Sequence, residues 1–362
     1  MSTATAIRQE AIFSVISPLD DPRWDTFLAR HPLASVFHTS AWLKALHRTY
    51  GYQPVLLTDA AAGAELRSAI VFCRVDSWLT GRRFVSVPFA DHCAPLLKDP
   101  NQLGQFVAGS RAVLAEAAPK YLEFRPAISL PELPAGLSAS QFYCHQQLDL
   151  TPDLATLFGN FHKDSVQRKI RRAERDGVRY AEGNSEDLLR TFYSLLVMTR
   201  QRHGLPPQPM KWFSSLAECF GGDLKIRVAT VADQPIAAIL TLRYKDTLVY
   251  KYGASDTRHN AAGGTHLLLW RSIQEAKQAA LRTFDLGRSD WDNSGLITFK
   301  KRWGATGSEL TYFRMPFGPG SGAHGPLSLQ RAWGSSAVKQ IMQRLPRPVL
   351  RWAGEKIYRH IA

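Results

Sequence analysis

Apolar positions in this chain recur with two periods, and the switch between them marks the elements. AIFSVIS (11–17) alternates as a strand. DPRWDTFLARH (21–31) and SAWLKALHRTYG (40–51) carry helical spacing, the second with Ser40 as N-cap and Gly51 as stop. QPVLLTD (53–59), ELRSAIVFCRV (65–75) and RRFVSVPF (82–89) are β-rich runs. QLGQFVAGSRAVLAEAAP (102–119) reads as a helix, KYLEFRP (120–126) as a short strand ended by proline, and QFYCHQQLDL (141–150) as the strand that closes the sheet.

At Thr151-Pro152 the pattern restarts. DLATLFGNF (153–161), KDSVQRKIRRAERDG (163–177), SEDLLRTFYSLLVMTRQRHG (185–204) and MKWFSSLAECF (210–220) are helical, with the strand VRYAEG (178–183) among them. LKIRVATVA, PIAAILTLRYK and TLVYKYGA form a three-stranded antiparallel meander over 224–254. A long helix (263–281), the strand RTFDLGR (282–288), the helix SGLITFKKRW (294–303) and the strand SELTYFRM (308–315) complete the unit. Both halves run helices, meander, helix, strand. The expected class is therefore α+β with two copies of one unit, residues 1–150 and 151–316. A glycine-rich linker and a basic helical tail (317–362) follow.

Composition changes this picture in one respect. The 362 residues carry 45 Lys and Arg against 31 Asp and Glu, a formal net charge of +14. Anionic partners follow: phosphates, nucleic acid or an acidic membrane face. The excess is local. Residues 163–179 hold seven basic against three acidic side chains, and residues 325–362 hold seven against one. In the first region Arg168, Arg172 and Arg175 fall on one helical stripe. In the tail, Trp333, Ile341, Leu345, Val349, Trp352, Ile357 and Tyr358 sit among the cations, a composition suited to an interfacial helix on an anionic leaflet. The four cysteines have no metal spacing and read as reduced thiols. No run is long and apolar enough for a membrane span, and no secretion signal is visible. The expectation is a cytoplasmic protein, peripheral at the inner face of the membrane.

The stretch 248–305 carries the candidate chemistry: strand, glycine-bearing loop, long helix, strand, then a helix opening Ser-Gly and bearing Phe299-Lys300. Leu296, Phe299 and Trp303 form that helix's buried face. Lys300 lies beside it, with a covered stem and an ammonium able to reach a cleft. Asp285 and Arg288 read as a pair at a strand end. Tyr250 and Tyr252 alternate with their neighbours and so face one side of their strand.

The blocks KDSVQRKIRRAERDGV, TRQRHG, YKYGAS, the LLLW helix, FDLGRSD and GLITFKKRWGA occur in that order from Phe161 to Ala305. Together they resemble the Fem-type aminoacyl transferases that extend peptidoglycan side chains. More broadly they resemble tandem acyltransferases with two acetyltransferase-like (GNAT) domains, including a branch associated with exopolysaccharide export. The first half matches through FHTSAWLKALHRTYGYQP. The resemblance implies two tandem GNAT-like domains and direct acyl or aminoacyl transfer, with no tightly bound cofactor and no metal. The implied co-substrate is acyl-CoA or aminoacyl-tRNA. The implied acceptor is an amine of a nucleotide- or lipid-linked envelope precursor, with tRNA as a further partner; the membrane contact of the tail (327–362) is read from its composition alone.

Roles follow residue by residue. Lys300 is placed at the reacting centre, where a fixed cation opposite the oxyanion is worth roughly 3–4 kcal/mol of barrier. The loop with Gly253, Arg258, Gly263, Gly264 and Thr265 is placed around the donor's phosphates, although Asn260 and Thr265 depart from the usual acetyltransferase pattern. Lys44 and Arg202 are placed on acceptor phosphate, with Tyr250, Tyr252 and Phe299 lining the cleft. The family's acid before a strand-ending proline is replaced by Arg125, which leaves Glu123, two positions earlier on the same face, as the candidate base. Asp91 and His92 are held in reserve. Two other readings compete: a basic nucleic-acid-binding protein, and a non-catalytic membrane-associated scaffold of polysaccharide export.

Overall fold

A computed structural model describes residues 13–127, 133–318 and 336–361. Twelve strands form one continuous sheet: β1 (Ser14–Ile16), β2 (Gln53–Thr58), β3 (Ala69–Val75), β4 (Arg83–Val85), β5 (Tyr121–Phe124), β6 (Ser138–Asp149), β7 (Arg179–Gly183), β8 (Leu224–Val231), β9 (Gln234–Tyr244), β10 (Thr247–Ser255), β11 (Thr283–Asp290) and β12 (Thr306–Pro316). The spatial order is β1-β2-β3-β4-β5-β12-β6-β11-β10-β9-β8-β7. Eleven α-helices of the described residues flank it: α1 (Arg23–Arg30), α2 (Ser40–Tyr50), α3 (Leu103–Leu114), α4 (Leu154–Asn160), α5 (Arg168–Arg175), α6 (Glu186–Arg202), α7 (Met210–Phe220), α8 (Gly264–Gln278), α9 (Ser294–Lys301), α10 (Ser336–Arg344) and α11 (Arg347–Ile357).

The centre of the sheet is an exchange. β12, late in the chain, inserts between β5 and β6, while β6, from the first half, lies between β12 and β11. We retain the division at 150/151 as a proposal of two units, with each unit's sheet continued by a strand of the other.

Strand alternation sorts side chains to two faces. On one face Leu56, Val71 and Cys73 meet α1 and α2, and Ile226, Leu240 and Val249 meet α6 and α7, in a single core that runs across both halves. Trp42 of α2 packs edge-on against Trp212 of α7, ring centroids 5.2 Å apart. Truncating either to alanine removes about 3–5 kcal/mol by the usual cost of a buried tryptophan. On the other face α3 covers the first half, and α5 and α8 cover the second. Helix α2 starts one residue earlier than its sequence suggests: Thr39 caps it through Trp42 N–H, and Ser40 is its first residue. Gly51 ends it in the left-handed conformation, as expected. The glycine-rich linker and Trp333 lie outside the described residues. The tail helices α10 and α11 fold back onto α6 and the 206–207 segment.

Candidate active site

Strands β10 and β11 pair in parallel only from Thr247↔Thr283 to Val249↔Asp285. Beyond that register β10 continues with β9 and β11 with β6, so the two part. A segment of the first half enters where they separate. After β4 the chain takes left-handed φ at Val87 (55°) and Phe89 (60°). For a β-branched residue this is a strained conformation that its surroundings must impose. Arg125 imposes it: Nη1 donates to Val87 O at 3.0 Å and Ala90 O at 3.3 Å. The Tyr312 hydroxyl donates to Asp91 O at 2.6 Å. Arg125 is itself fixed by Glu123, whose Oε1 accepts from Arg125 Nε and Nη2 at 2.9 and 2.7 Å. Oε2 of Glu123 accepts from Arg314 Nε at 2.8 Å and lies 2.7 Å from Arg314 Nη2.

This scaffold delivers Asp91 and His92 to the parting strands. Asp91 Oδ2 accepts from Lys251 Nζ at 3.0 Å, and Oδ1 lies 3.8 Å from Arg288 Nε. Burial would raise the Asp91 pKa, but Lys251 and Arg288 hold it below the usual carboxylate value. Gly287 has φ 72° and a Cβ there would sit 3.0 Å from Asp91 Oδ2, so glycine is required on both counts. Asp285 Oδ1 accepts from His145 Nε2 at 2.9 Å and from Gly287 N–H at 2.7 Å, and Oδ2 faces His92 Nε2 at 3.3 Å. Burial opposes its ionisation, yet the charge and hydrogen bond of His145 and the contact with His92 keep Asp285 well below the ordinary carboxylate range. Burial alone would lower the His145 pKa, but Asp285 raises it above its usual value.

Lys300 reaches this cluster from α9. It is 2% exposed. Its Nζ donates to Gly287 O at 2.8 Å and Arg288 O at 3.1 Å. The register of β11 against β6 shifts between Asp285 and Arg288, and the two carbonyls lie in or at the edge of that irregularity. Burial lowers the Lys300 pKa to about 8, against the pull of Asp91 and Asp285. With two N–H groups on carbonyls, one donor remains. Nearby, Arg288 Nη1, Ser289 Oγ and Gln146 Oε1 are buried with no hydrogen-bond partner among the described residues. The Arg288 guanidinium stacks on Tyr143 at 4.0 Å.

His92, His145 and Asp285 bring three ligand-type atoms within 4.8 Å of one another. Both imidazoles already direct Nε2 at the carboxylate, and the cations Lys251, Arg288 and Lys300 lie around them. That charge balance suits an ion-pair cluster better than a dication.

The remaining expected site residues have other partners. Glu123 is 2% exposed with both oxygens held by guanidinium groups, so it is tied into the scaffold and has no lone pair free for an incoming proton. Asp285 pairs with the two histidines rather than with Arg288. Tyr250 and Tyr252 face opposite sides, because a bulge at Lys251 shifts the alternation by one. Tyr252 joins the first core and accepts from Trp212 Nε1 at 2.8 Å, while Tyr250 packs into the second. Gly253 leaves room for the Tyr250 hydroxyl. Gly263 has φ 76° and a Cβ there would meet Lys169 O of α5 at 2.6 Å; a Cβ on Gly264 would meet Ile236 at 2.9 Å. The space that a side chain at these glycines would need is filled by the protein's own α5 and β9, so close packing accounts for glycine at both positions.

Arg258 is exposed and pairs with Asp256 at 2.6 Å. Thr265 is half-buried in the first turn of α8. Phe299 packs against His266 and Trp303. Lys44 is exposed on α2, and Arg202, at the end of α6, donates to Ser255 O at 3.1 Å. The arginine stripe of α5 lines an 810 Å³ cavity with Lys163, Arg168, Arg171, Arg172 and Arg175. A larger cavity of 1020 Å³ opens beside α1, between Phe27, Leu33, Arg67 and Lys98, remote in the chain from the Lys300 cluster.

Comparison with known proteins bears on this arrangement. Residues 160–301 match the family model described as an acetyltransferase (GNAT) domain. The chain is 30% identical over 176 residues to the UDP-N-acetylmuramoylpentapeptide-lysine N(6)-alanyltransferase of Weissella viridescens; the match covers 46% of this chain and 51% of that enzyme. The chain thus spans about half the length of the curated relative it matches. The crystal structure of FemX superposes with a TM-score of 0.68 at 13% identity, over 84% of this chain and 97% of that one. The C-terminal domain of a lysylphosphatidylglycerol synthetase from Agrobacterium fabrum gives 0.53 at 16% identity, over 87% and 95%. A tandem GNAT protein of clavulanic acid biosynthesis gives 0.52 at 15%, over 85% and 99%. The fold is that of the tandem GNAT proteins, and the resemblance to Fem-type transferases holds in both sequence and structure.

Proposed function

We propose that this tandem GNAT protein transfers an aminoacyl or acyl group directly onto an amine of a cell-envelope precursor, at the cluster around Lys300. The observation that carries the reading is the position of Lys300: a lysine of the matched domain, buried, with one N–H uncommitted, beside a cluster completed by Asp91 and His92 of the first half. In the reaction the acceptor amine attacks the donor carbonyl, so a C–N bond forms and an oxyanion develops. The Lys300 ammonium stabilises that charge, and the donor's ester or thioester bond then breaks to release the leaving group. Because Glu123 is engaged by two arginines, the amine proton passes to His92, whose Nε2 is oriented by Asp285 and whose Nδ1 is the base. The unpartnered Arg288, Ser289 and Gln146 groups offer hydrogen bonds to a bound substrate.

The donor is aminoacyl-tRNA or acyl-CoA. The loop with Gly253, Arg258, Gly263, Gly264 and Thr265 remains the proposed donor site, and the cationic cavity on α5 supports a donor that brings several phosphates. Lys44 and Arg202 remain the proposed contacts to acceptor phosphate. The curated relative favours a peptidoglycan precursor; an exopolysaccharide amine is the second reading. The tail is the proposed meeting point with the membrane. The test incubates purified protein with charged tRNA or acetyl-CoA and a muropeptide precursor. Lys300→Met should lower the transfer rate roughly 10²–10³-fold, the usual effect of removing one oxyanion donor. A Lys300→Met protein that turns over like the wild type removes the reading. It also predicts turnover with at least one of the two donors.

A further inference from the structure

Helix α11 is amphipathic, but its two faces have different partners. Inward, Leu350, Ala353 and Gly354 are buried, Gly354 lying directly against the Pro207 carbonyl. The Tyr358 hydroxyl donates to Pro206 O at 3.2 Å, and the Tyr52 hydroxyl donates to Tyr358 O at 3.0 Å. Outward, Val349 and Trp352 stand one turn apart, and Trp352 is 61% exposed. Lys356 and Arg359 continue the same outward side.

The turn after α11 is welded to a distant part of the chain, the loop between β3 and β4. Thr80 Oγ1 and Arg83 Nη2 donate to His360 O at 3.1 and 2.8 Å, and Ser77 Oγ lies 3.0 Å from His360 Nδ1. Trp78, in the same loop, touches the His360 ring by its edge at a centroid distance of 5.7 Å, yet is 86% exposed. Leu79 beside it and Ile341 of α10 are also exposed. Isolated surface apolar residues need no explanation, but two tryptophans presented by fixed, mutually bonded segments do. Between residues 336 and 361 the tail has Lys339, Arg344, Arg347, Arg351, Lys356 and Arg359 against Glu355 alone.

We propose that this face, the Ser77–Thr80 turn together with the outer side of α11, docks the protein on an anionic lipid bilayer. Trp78 and Trp352 enter the headgroup boundary, where an amphipathic aromatic ring is favoured, and the surrounding cations meet anionic headgroups. The occupant is a bilayer rather than a polyanion in solution because the cations alternate with exposed apolar rings, which RNA or a free phosphate would leave in water. The helices themselves cannot cross: no helix of the described residues is long and apolar enough to span a membrane. Where the proposed transfer reaction holds, this face brings the Lys300 cluster to a lipid-linked acceptor rather than a nucleotide-linked one. That consequence rests on the proposed function; the docking itself does not.

The test is co-sedimentation of the full chain with vesicles of phosphatidylcholine alone and of phosphatidylcholine mixed equally with phosphatidylglycerol. The wild type should partition to the anionic vesicles and not to the neutral ones. Trp78→Ser/Trp352→Ser should bind the anionic vesicles about tenfold more weakly, and each of Lys356→Glu and Arg359→Glu should cost about fivefold or more, with far-UV circular dichroism unchanged. Lys300→Met should bind like the wild type, so a failure of the transfer reading leaves this result standing. Equal binding of the double tryptophan variant, or no preference for anionic vesicles, overturns the proposal. So does an equal loss of tRNA binding in that variant, which would mark a general polyanion surface.

Discussion

Glu123→Gln separates a base from a scaffold. The Glu123 carboxylate is buried between Arg125 and Arg314, with four N–O distances of 2.7 to 2.9 Å. Glutamine keeps the shape but removes the charge and turns one acceptor into a donor facing a guanidinium. Arg125 then loses its counter-ion and Arg314 loses the carboxylate it faces, and breaking such a buried network costs about 3–5 kcal/mol. Against a total stability on the order of 5–15 kcal/mol, that is a large fraction. The loss should propagate, because Arg125 also restrains the strained Val87–Phe89 backbone that positions Asp91 and His92. Denaturant unfolding should show a lower midpoint with an unchanged slope. Any residual transfer activity should keep the wild-type pH profile. A variant less than about 1 kcal/mol less stable, with the low-pH limb of its rate profile abolished, would refute the scaffold argument and restore Glu123 as the base.

Three further outcomes follow from the same geometry. The Lys300 pKa of about 8 means that its cation is present below that pH, so the transfer rate should fall as pH rises through about 8; Lys300→Met should lack this limb in its rate profile. Asp285 is depressed in the folded state, so its stabilising contribution is present above the ordinary carboxylate pKa and is lost only as pH falls below it; acid unfolding monitored by near-UV circular dichroism should begin at higher pH in Asp285→Asn, which has already lost that contribution. Gly263→Ala should destabilise the protein by about 2 kcal/mol or more, because the left-handed φ and the Lys169 carbonyl both oppose a Cβ; thermal unfolding unchanged alongside a raised donor KM would favour the phosphate-cradle role instead.

Much of the architecture was legible in the chain because it depends on local periodicity. The two meanders, the helix pair before each and the long α8 helix follow from spacing, caps and glycine stops. Lys300 could be singled out because it neighbours an apolar stripe of one helix, but the face itself differs from the expected one: within α9 Ile297 and Lys300 are buried, whereas Leu296 and Phe299 are half-buried. The rest of the cluster was hidden because it is assembled by pairing across the chain. His145 looks like an ordinary polar residue of an alternating strand until β6 is set beside β11. The bulge that turns Lys251 toward Asp91, and sends Tyr250 and Tyr252 to opposite faces, depends on one extra residue against β9, which the YKYG pattern does not reveal. Glu123 reads as a free carboxylate in the sequence because its partner Arg314 lies 191 residues away.

The interleaving of β12 with β5 and β6 bears on how the protein is made. Phe124 of β5 finds its ladder partner at Phe313, so the first unit remains unfinished while nearly all of the second is synthesised. Until β12 leaves the ribosome, facing edges of β5 and β6 lack their neighbour and Glu123 lacks Arg314, which makes the nascent chain a natural client for chaperones. Contacts of such long range also slow folding, so refolding of the complete chain should be limited by the arrival of this single strand. Chains ending before Thr306 should accumulate as aggregates instead of as a folded first unit.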